Sequence, residues 1–176
     1  MSAMRGLRTA KGVFFLLCSL LSFREVFSAS FDSEFDEKPW QEVEAQLPSF
    51  PEREHLIQFK VGSVSDKQFF IDEKSISIGA DEVIRYSLVV ISSTGAQGVS
   101  FEGMRCATGE RRFYAFGQAD KTWSRARGNQ WMKISGSGNQ YPVALYVDYF
   151  CAIGAATVMK PADAVRVLRY GHKPGE

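Results

Sequence analysis

Between Leu56 and Gly117 the chain offers a series of β-forming runs separated by loops of only a few residues. Parallel neighbours need a crossover of about a dozen residues or more, so runs this closely spaced must pair antiparallel. The runs are 56–61 (LIQFKV), 68–72 (QFFID), 83–92 (VIRYSLVVIS), 99–106 (VSFEGMRC) and 111–117 (RRFYAFG), with 130–134 as the expected last strand. Residues 75–78 either continue the second run or follow it. Segment 83–92 is the richest in β-branched and aromatic residues. Turn signals stand at Ser65–Lys67, Ala80–Glu82, Ser93–Gly98 and Thr108–Glu110.

The C-terminal third changes character. Asn139 is a candidate cap for a helix over 141–150, with Pro142 in its first turn. Val143, Val147 and Phe150 would then share one face. The same segment also alternates, so a strand is the second reading. Pro161–Arg169 predicts a clearer helix, with Ala162, Val165 and Leu168 on one face and Gly171 beyond its end. The expected fold is a single-domain α+β protein over residues 56–172, an antiparallel sheet of five to six strands with two C-terminal helices.

Residues 1–11 carry Arg5, Arg8 and Lys11 and no acid, and residues 12–21 form an uncharged run of ten. A bilayer span needs about 20 apolar residues, so this layout fits a secretory signal instead. Small residues at Ser28, Ala29 and Ser30 place the expected cleavage near position 30, making 1–30 a signal peptide. Cys18 lies inside the apolar run behind Leu16 and Leu17, so an outer-membrane lipoprotein signal is the less favoured reading. The expected location is the periplasm, with no transmembrane helix in the mature chain. The whole chain has 21 basic and 20 acidic residues; removing four bases and one acid with the leader leaves 17 against 19, or −2.

Cys106 and Cys151 are the only cysteines beyond that leader. An even count in an exported chain reads as a disulfide. A redox or nucleophilic pair is the alternative, but no CxxC spacing is present, and the only histidines, His55 and His172, are remote in sequence.

Chemistry-bearing motifs are sparse. No phosphate loop, dinucleotide fingerprint, HExxH or GxSxG occurs, so no cofactor and no metal is expected. Carboxylates such as Glu102 and Asp148 could serve a glycosidase-type site, and both are more simply read as partners of nearby arginines. Charge is segregated. Residues 31–55 form an acidic arm with eight acids against two bases, broken by Pro39, Pro48 and Pro51, with a short helical turn at 40–45 as one option. Residues 105–133 carry seven bases against two acids, interleaved with Phe113, Tyr114, Phe116, Trp123 and Trp131. Either the arm lies on this basic hairpin, or both are solvated faces whose charges never meet. The candidate binding residues are Arg111, Arg112, Trp123, Arg125 and Arg127. An exported chain rarely meets nucleic acid, so the expected partner is an envelope protein or an anionic surface polymer, with membrane-surface contact as a further option.

WQEVEAQLPSFP at 40–51, FFID at 69–72, VIRYSLVV at 83–90 and SFEGMRCAT at 100–108 stand in one order with YAFGQADKTW at 114–123, Trp131 and ALYVDYFC at 144–151. In these stretches the chain resembles the cryptic neisserial protein-like family of Gram-negative, chiefly β-proteobacterial, bacteria, over residues 40–170. The resemblance implies a small exported protein with no assigned activity, so it carries no catalytic residues across. Cys106 in EGMRC and Cys151 in DYFC stand at family positions, and the SGSG stretch at 135–138 departs from the pattern. The resulting expectation is a non-catalytic binding or assembly module of the cell envelope. The alternative is a periplasmic glycan or peptide hydrolase with a carboxylate site.

Overall fold

The computed structural model describes residues 39–172, apart from Val64, Asn129, Ser137, Asn139, Ile153, Gly154 and Thr157. The expected signal peptide, arm residues 31–38 and the Asn139 cap lie outside the described residues.

The short loops produce the antiparallel sheet they predict. Strands β1 (Leu56–Phe59), β2 (Gln68–Ile78), β3 (Val83–Ile91), β4 (Gln97–Arg105) and β5 (Glu110–Gly117) pair in chain order. Two short strands then share the far edge of β5. β6 (Trp123–Arg125) pairs with Ala115–Gly117, and β7 (Met132–Lys133) pairs with Glu110–Arg111. Among the described residues the sheet therefore has seven strands. β6 is absent from the sequence reading, because a three-residue WSR carries no alternation long enough to read. β7 is shorter than the expected 130–134.

β2 settles the ambiguity at 75–78 by running through it with a register shift between Asp72 and Ser77. The bulge is closed by one side chain: Ser75 Oγ donates to the Asp72 carbonyl (2.7 Å) and accepts from the Ser87 N–H (2.7 Å). That satisfies a buried amide that the ladder has skipped.

Side chains alternate across a strand, so β3 and β4 each present two sets. Ile84, Tyr86, Leu88 and Met104 join the main core with Ile57, Phe59, Phe69 and Ile71. This face is covered by the C-terminal elements. α1 (Tyr141–Ala144) runs directly into a π-helical segment (Leu145–Phe150), followed by the two-residue strands β8 (Cys151–Ala152) and β9 (Ala155–Ala156) and by α2 (Pro161–Tyr170). Cys106 and Cys151 are bonded, with Cα atoms 5.4 Å apart, which ties the end of β4 to the end of the π segment.

Both helices are found; the face over 141–150 needs correction, and in α2 only Ala162 departs, since Leu168 is buried and Val165 packs partly buried on the core. Over 141–150 the buried residues are Pro142, Ala144, Leu145 and Phe150, whereas Val147 is 55% exposed. The cause is the wide turn: the Cys151 N–H bonds back to the Tyr146 carbonyl, five residues earlier, so residues five apart stack and the 3.6-residue spacing fails. In α2 the buried stripe is Ala164, Val167 and Leu168, not Ala162, which is exposed. Asp163 caps its start by accepting from the Lys160 N–H (3.1 Å), and Gly171 (φ 75°) ends it.

Candidate functional site

On the opposite sheet face lie residues 39–50 of the acidic arm. Residues 40–50 form neither helix nor strand, so the helical turn that was one option is not found, and side chains of the sheet grip the segment at several points. Asp81 and Arg85 form a buried ion pair (2.6 Å) at the head of β3. Asp81 Oδ2 accepts from the Val43 N–H (2.8 Å), and Arg85 Nη2 donates to the Val43 carbonyl (2.7 Å). One ion pair thus reads both backbone groups of a single arm residue, as a neighbouring strand would. Burial pushes the Asp81 carboxyl up, but the bonds from Arg85, Val43 and Val83 outweigh it and hold the group below its ordinary value. The Trp40 indole donates to the Asp81 carbonyl (3.0 Å).

Glu42 is the arm's main anchor. It accepts from Arg112, from the Tyr114 hydroxyl (2.7 Å) and from the Trp131 indole (3.2 Å). Burial first, then the bond to Glu42, keeps the Tyr114 phenol far above its ordinary value, so it stays protonated and donates to Glu42. Around these bonds, cations and rings alternate. Arg105 lies 3.5 Å from the Trp40 ring centre and 5.6 Å from Trp131; Arg112 lies 5.7 Å from Trp131 and 5.0 Å from Tyr114; Arg85 lies 5.7 Å from Tyr114. Each such contact contributes about 0.5–2 kcal/mol, more where water is excluded. Further along, the Trp123 indole donates to the Pro48 carbonyl (2.9 Å), and its ring tilts against Phe50 at 5.3 Å.

Two glycines make this close approach feasible. A Cβ on Gly103 would sit 2.6 Å from the Tyr114 hydroxyl, and one on Gly117 would sit 2.8 Å from Phe50.

The five candidate residues divide. Arg112 and Trp123 hold the arm. Arg111 points to the helix side, donating to the Tyr141 hydroxyl (2.6 Å) and lying 3.7 Å from Glu102. Arg125 and Arg127 are exposed, and neither side chain has a hydrogen-bond or ion-pair partner among the described residues. Arg125 borders a cleft of about 320 Å³ between the arm and the β5–β6 edge. Val43, Ala45, Leu47 and Ala126 give it an apolar lining, with Glu42, Glu44, Arg112 and Tyr114 as its other polar neighbours.

Glu102 and Asp148 are not placed as a working pair. Glu102 is fully buried and accepts from Ser100 Oγ (2.6 Å) and the Tyr141 hydroxyl (3.0 Å), with Tyr86 at 3.5 Å. Burial holds its carboxyl above the ordinary range, although Ser100, Arg111 and the tyrosines favour the charged form. Asp148 is exposed on the π segment and has no arginine partner among the described residues. The cleft is lined by neither residue. The turn Arg53–His55 brings Glu52, Glu54 and His55 together, with ligand atoms within 4.8 Å of one another. This mainly exposed group has no metal-motif signal in the sequence, where His55 stands remote from both cysteines.

Sequence reasoning also missed the Asp81–Arg85 clamp. Its only signal was an acid four residues before an arginine across a turn, a spacing with no special meaning outside a helix.

A family model described as the CNP1-like family matches residues 35–169. The chain belongs to that family, in agreement with the resemblance in its cysteine-bearing and aromatic stretches. No curated protein and no solved structure matches it.

Proposed function

We propose that this member of the CNP1-like family is an exported, non-catalytic binding module of the cell envelope, which holds an anionic partner at the Arg125–Arg127 edge. The carrying observation is how the positive charge of the basic hairpin is distributed. Arg105, Arg111 and Arg112 each face a carboxylate, Glu110, Glu102 and Glu42 respectively. Arg125 and Arg127 have none among the described residues, and Arg125 borders a cleft with a mixed lining whose apolar part is Val43, Ala45, Leu47 and Ala126. An unpaired guanidinium next to apolar surface suits a carboxylate or phosphate attached to a larger body. The partner is an acidic envelope protein or an anionic surface polymer located in the periplasm. No helix among the described residues is long and apolar enough to cross a membrane.

The test is the double variant Arg125→Ala/Arg127→Ala. Binding of purified anionic envelope polymer, titrated against salt, should fall about tenfold or more. Thermal stability should stay unchanged, because exposed, unpaired arginines support no fold contact. Undiminished, salt-sensitive binding by the variant would reject this edge. Photo-crosslinking in cells from position 127 would then identify what the module touches.

A further inference from the structure

We propose that the arm face is a peptide-recognition groove that can be filled in trans as well as in cis, its trans occupant being the arm of a second copy of this chain. The proposal goes beyond the Arg125–Arg127 reading and does not rest on it.

The arm is held as a bound peptide is held. It forms no strand ladder with the sheet. The Asp81–Arg85 pair engages the N–H and the carbonyl of Val43, and Trp123 engages the carbonyl of Pro48. Side-chain specificity comes from Trp40 on Arg105, Glu42 in the Arg112–Tyr114–Trp131 socket, and Phe50 over Gly117. A segment held by side-chain bonds to its backbone at Val43 and Pro48 and by seated side chains at Trp40, Glu42 and Phe50 is engaged in the manner of a docked peptide. None of these contacts depends on which chain supplies the arm.

The connection permits exchange. Between Phe50 and β1 lie Pro51 and a single 3₁₀ turn, Arg53–His55, closed by the His55 N–H to the Glu52 carbonyl (3.0 Å) and the Leu56 N–H to the Arg53 carbonyl. That turn buries no residue, so straightening it uncovers no core. Exchange of an identical element then conserves every contact and leaves only hinge strain and concentration to choose between forms. A short tether gives a cis arm an effective concentration on the order of millimolar, so the wild-type chain stays closed when dilute.

Complementation of full-length variants isolates the trans contact. Trp40→Ala/Glu42→Ala removes the arm's anchors and leaves the groove. Arg105→Ala/Arg112→Ala damages the groove and leaves the arm. Each alone should sediment as a monomer; mixed in equal amounts they should form a 1:1 complex of twice the monomer mass. A synthetic peptide of residues 39–50 should dissolve that complex. The proposal is overturned if the mixture stays monomeric while both variants keep native far-ultraviolet dichroism, which reports the sheet and not the arm's aromatic contacts, or if either variant dimerises as strongly alone. Should the alanine variants lose that dichroism, the milder pair Glu42→Gln and Arg112→Lys is mixed instead and read in the same way. In the wild-type chain, refolding at high concentration should trap a dimer, and a monomer at every concentration counts against exchange.

Discussion

Glu42 and Glu102 use the same chemistry on opposite faces of one sheet. Each carboxylate faces an arginine of β5 and accepts from a tyrosine hydroxyl, Arg112 and Tyr114 for one, Arg111 and Tyr141 for the other. They differ in what seals them. Glu102 is an interior residue beneath α1, in a layer tied down by the disulfide. Glu42 belongs to an irregular arm whose attachment is side chain by side chain, and it keeps about a fifth of its side chain in solvent. Burial therefore dominates the ionisation of Glu102, whereas Glu42 is a latch. The lesson is that similar constellations act as a core element or as a detachable contact, depending on the covering layer.

The largest test of that contrast is the disulfide. Replacing both Cys106 and Cys151 by serine removes a crosslink across a sequence separation of 45 residues. Loss of about 4 kcal/mol in urea unfolding is expected from chain entropy. The three tryptophans, Trp40, Trp123 and Trp131, all sit on the arm side, so indole fluorescence of the folded variant should barely move. A large emission shift would mean that the two layers are coupled and the contrast fails.

Next come the carboxylates themselves. Glu102→Ala leaves the Ser100 and Tyr141 hydroxyls without their acceptor and should cost about 3 kcal/mol. Glu42→Ala should cost about 1–2 kcal/mol, because the groups it releases can reach water. It should also shift tryptophan emission to the red and speed amide exchange at Val43. Equal costs in urea titrations would make the arm part of the core.

The smallest effect is in pH. Glu102 has its carboxyl raised above the usual 4.5, so the folded chain takes up that proton more readily than the unfolded one. Its contribution is full below 4.5 and declines as pH rises through the folded value. Asp81 is lowered from 3.8, so its contribution is present above 3.8 and is lost as pH falls through the folded value. Glu102→Gln should flatten the decline in stability above pH 4.5 and leave the acid-side loss intact. An unaltered slope in pH-resolved melting would show that Glu102 does not carry it.

Local signals made the sheet legible. Loop length fixed antiparallel pairing, alternation located β1 to β5, and proline and glycine marked α2. Turn width is not encoded in composition, so Val147 was misplaced on a helix that opens into π geometry. β6 was missed because three residues carry no period. Within the candidate site, the opposite charges of arm and hairpin were readable. The partition of Arg111 and Arg112 to opposite faces follows from strand alternation, but the layer meeting each face does not.

The sequence by itself determined the antiparallel α+β framework, the family, and a cysteine pair positioned to bond. The framework follows from periodicities and loop lengths carried locally, the family from ordered residue stretches that resemble it, and the expected bond from an even cysteine count in a chain read as exported. Only the tertiary structure decided that the acidic arm lies on the sheet, that Glu102 is sealed while Asp148 is not, and that Arg125 and Arg127 remain unpaired among the described residues. Such outcomes depend on which surfaces meet, and pairing between residues some 70 positions apart, as for Glu42 and Arg112, leaves no periodic trace in one sequence.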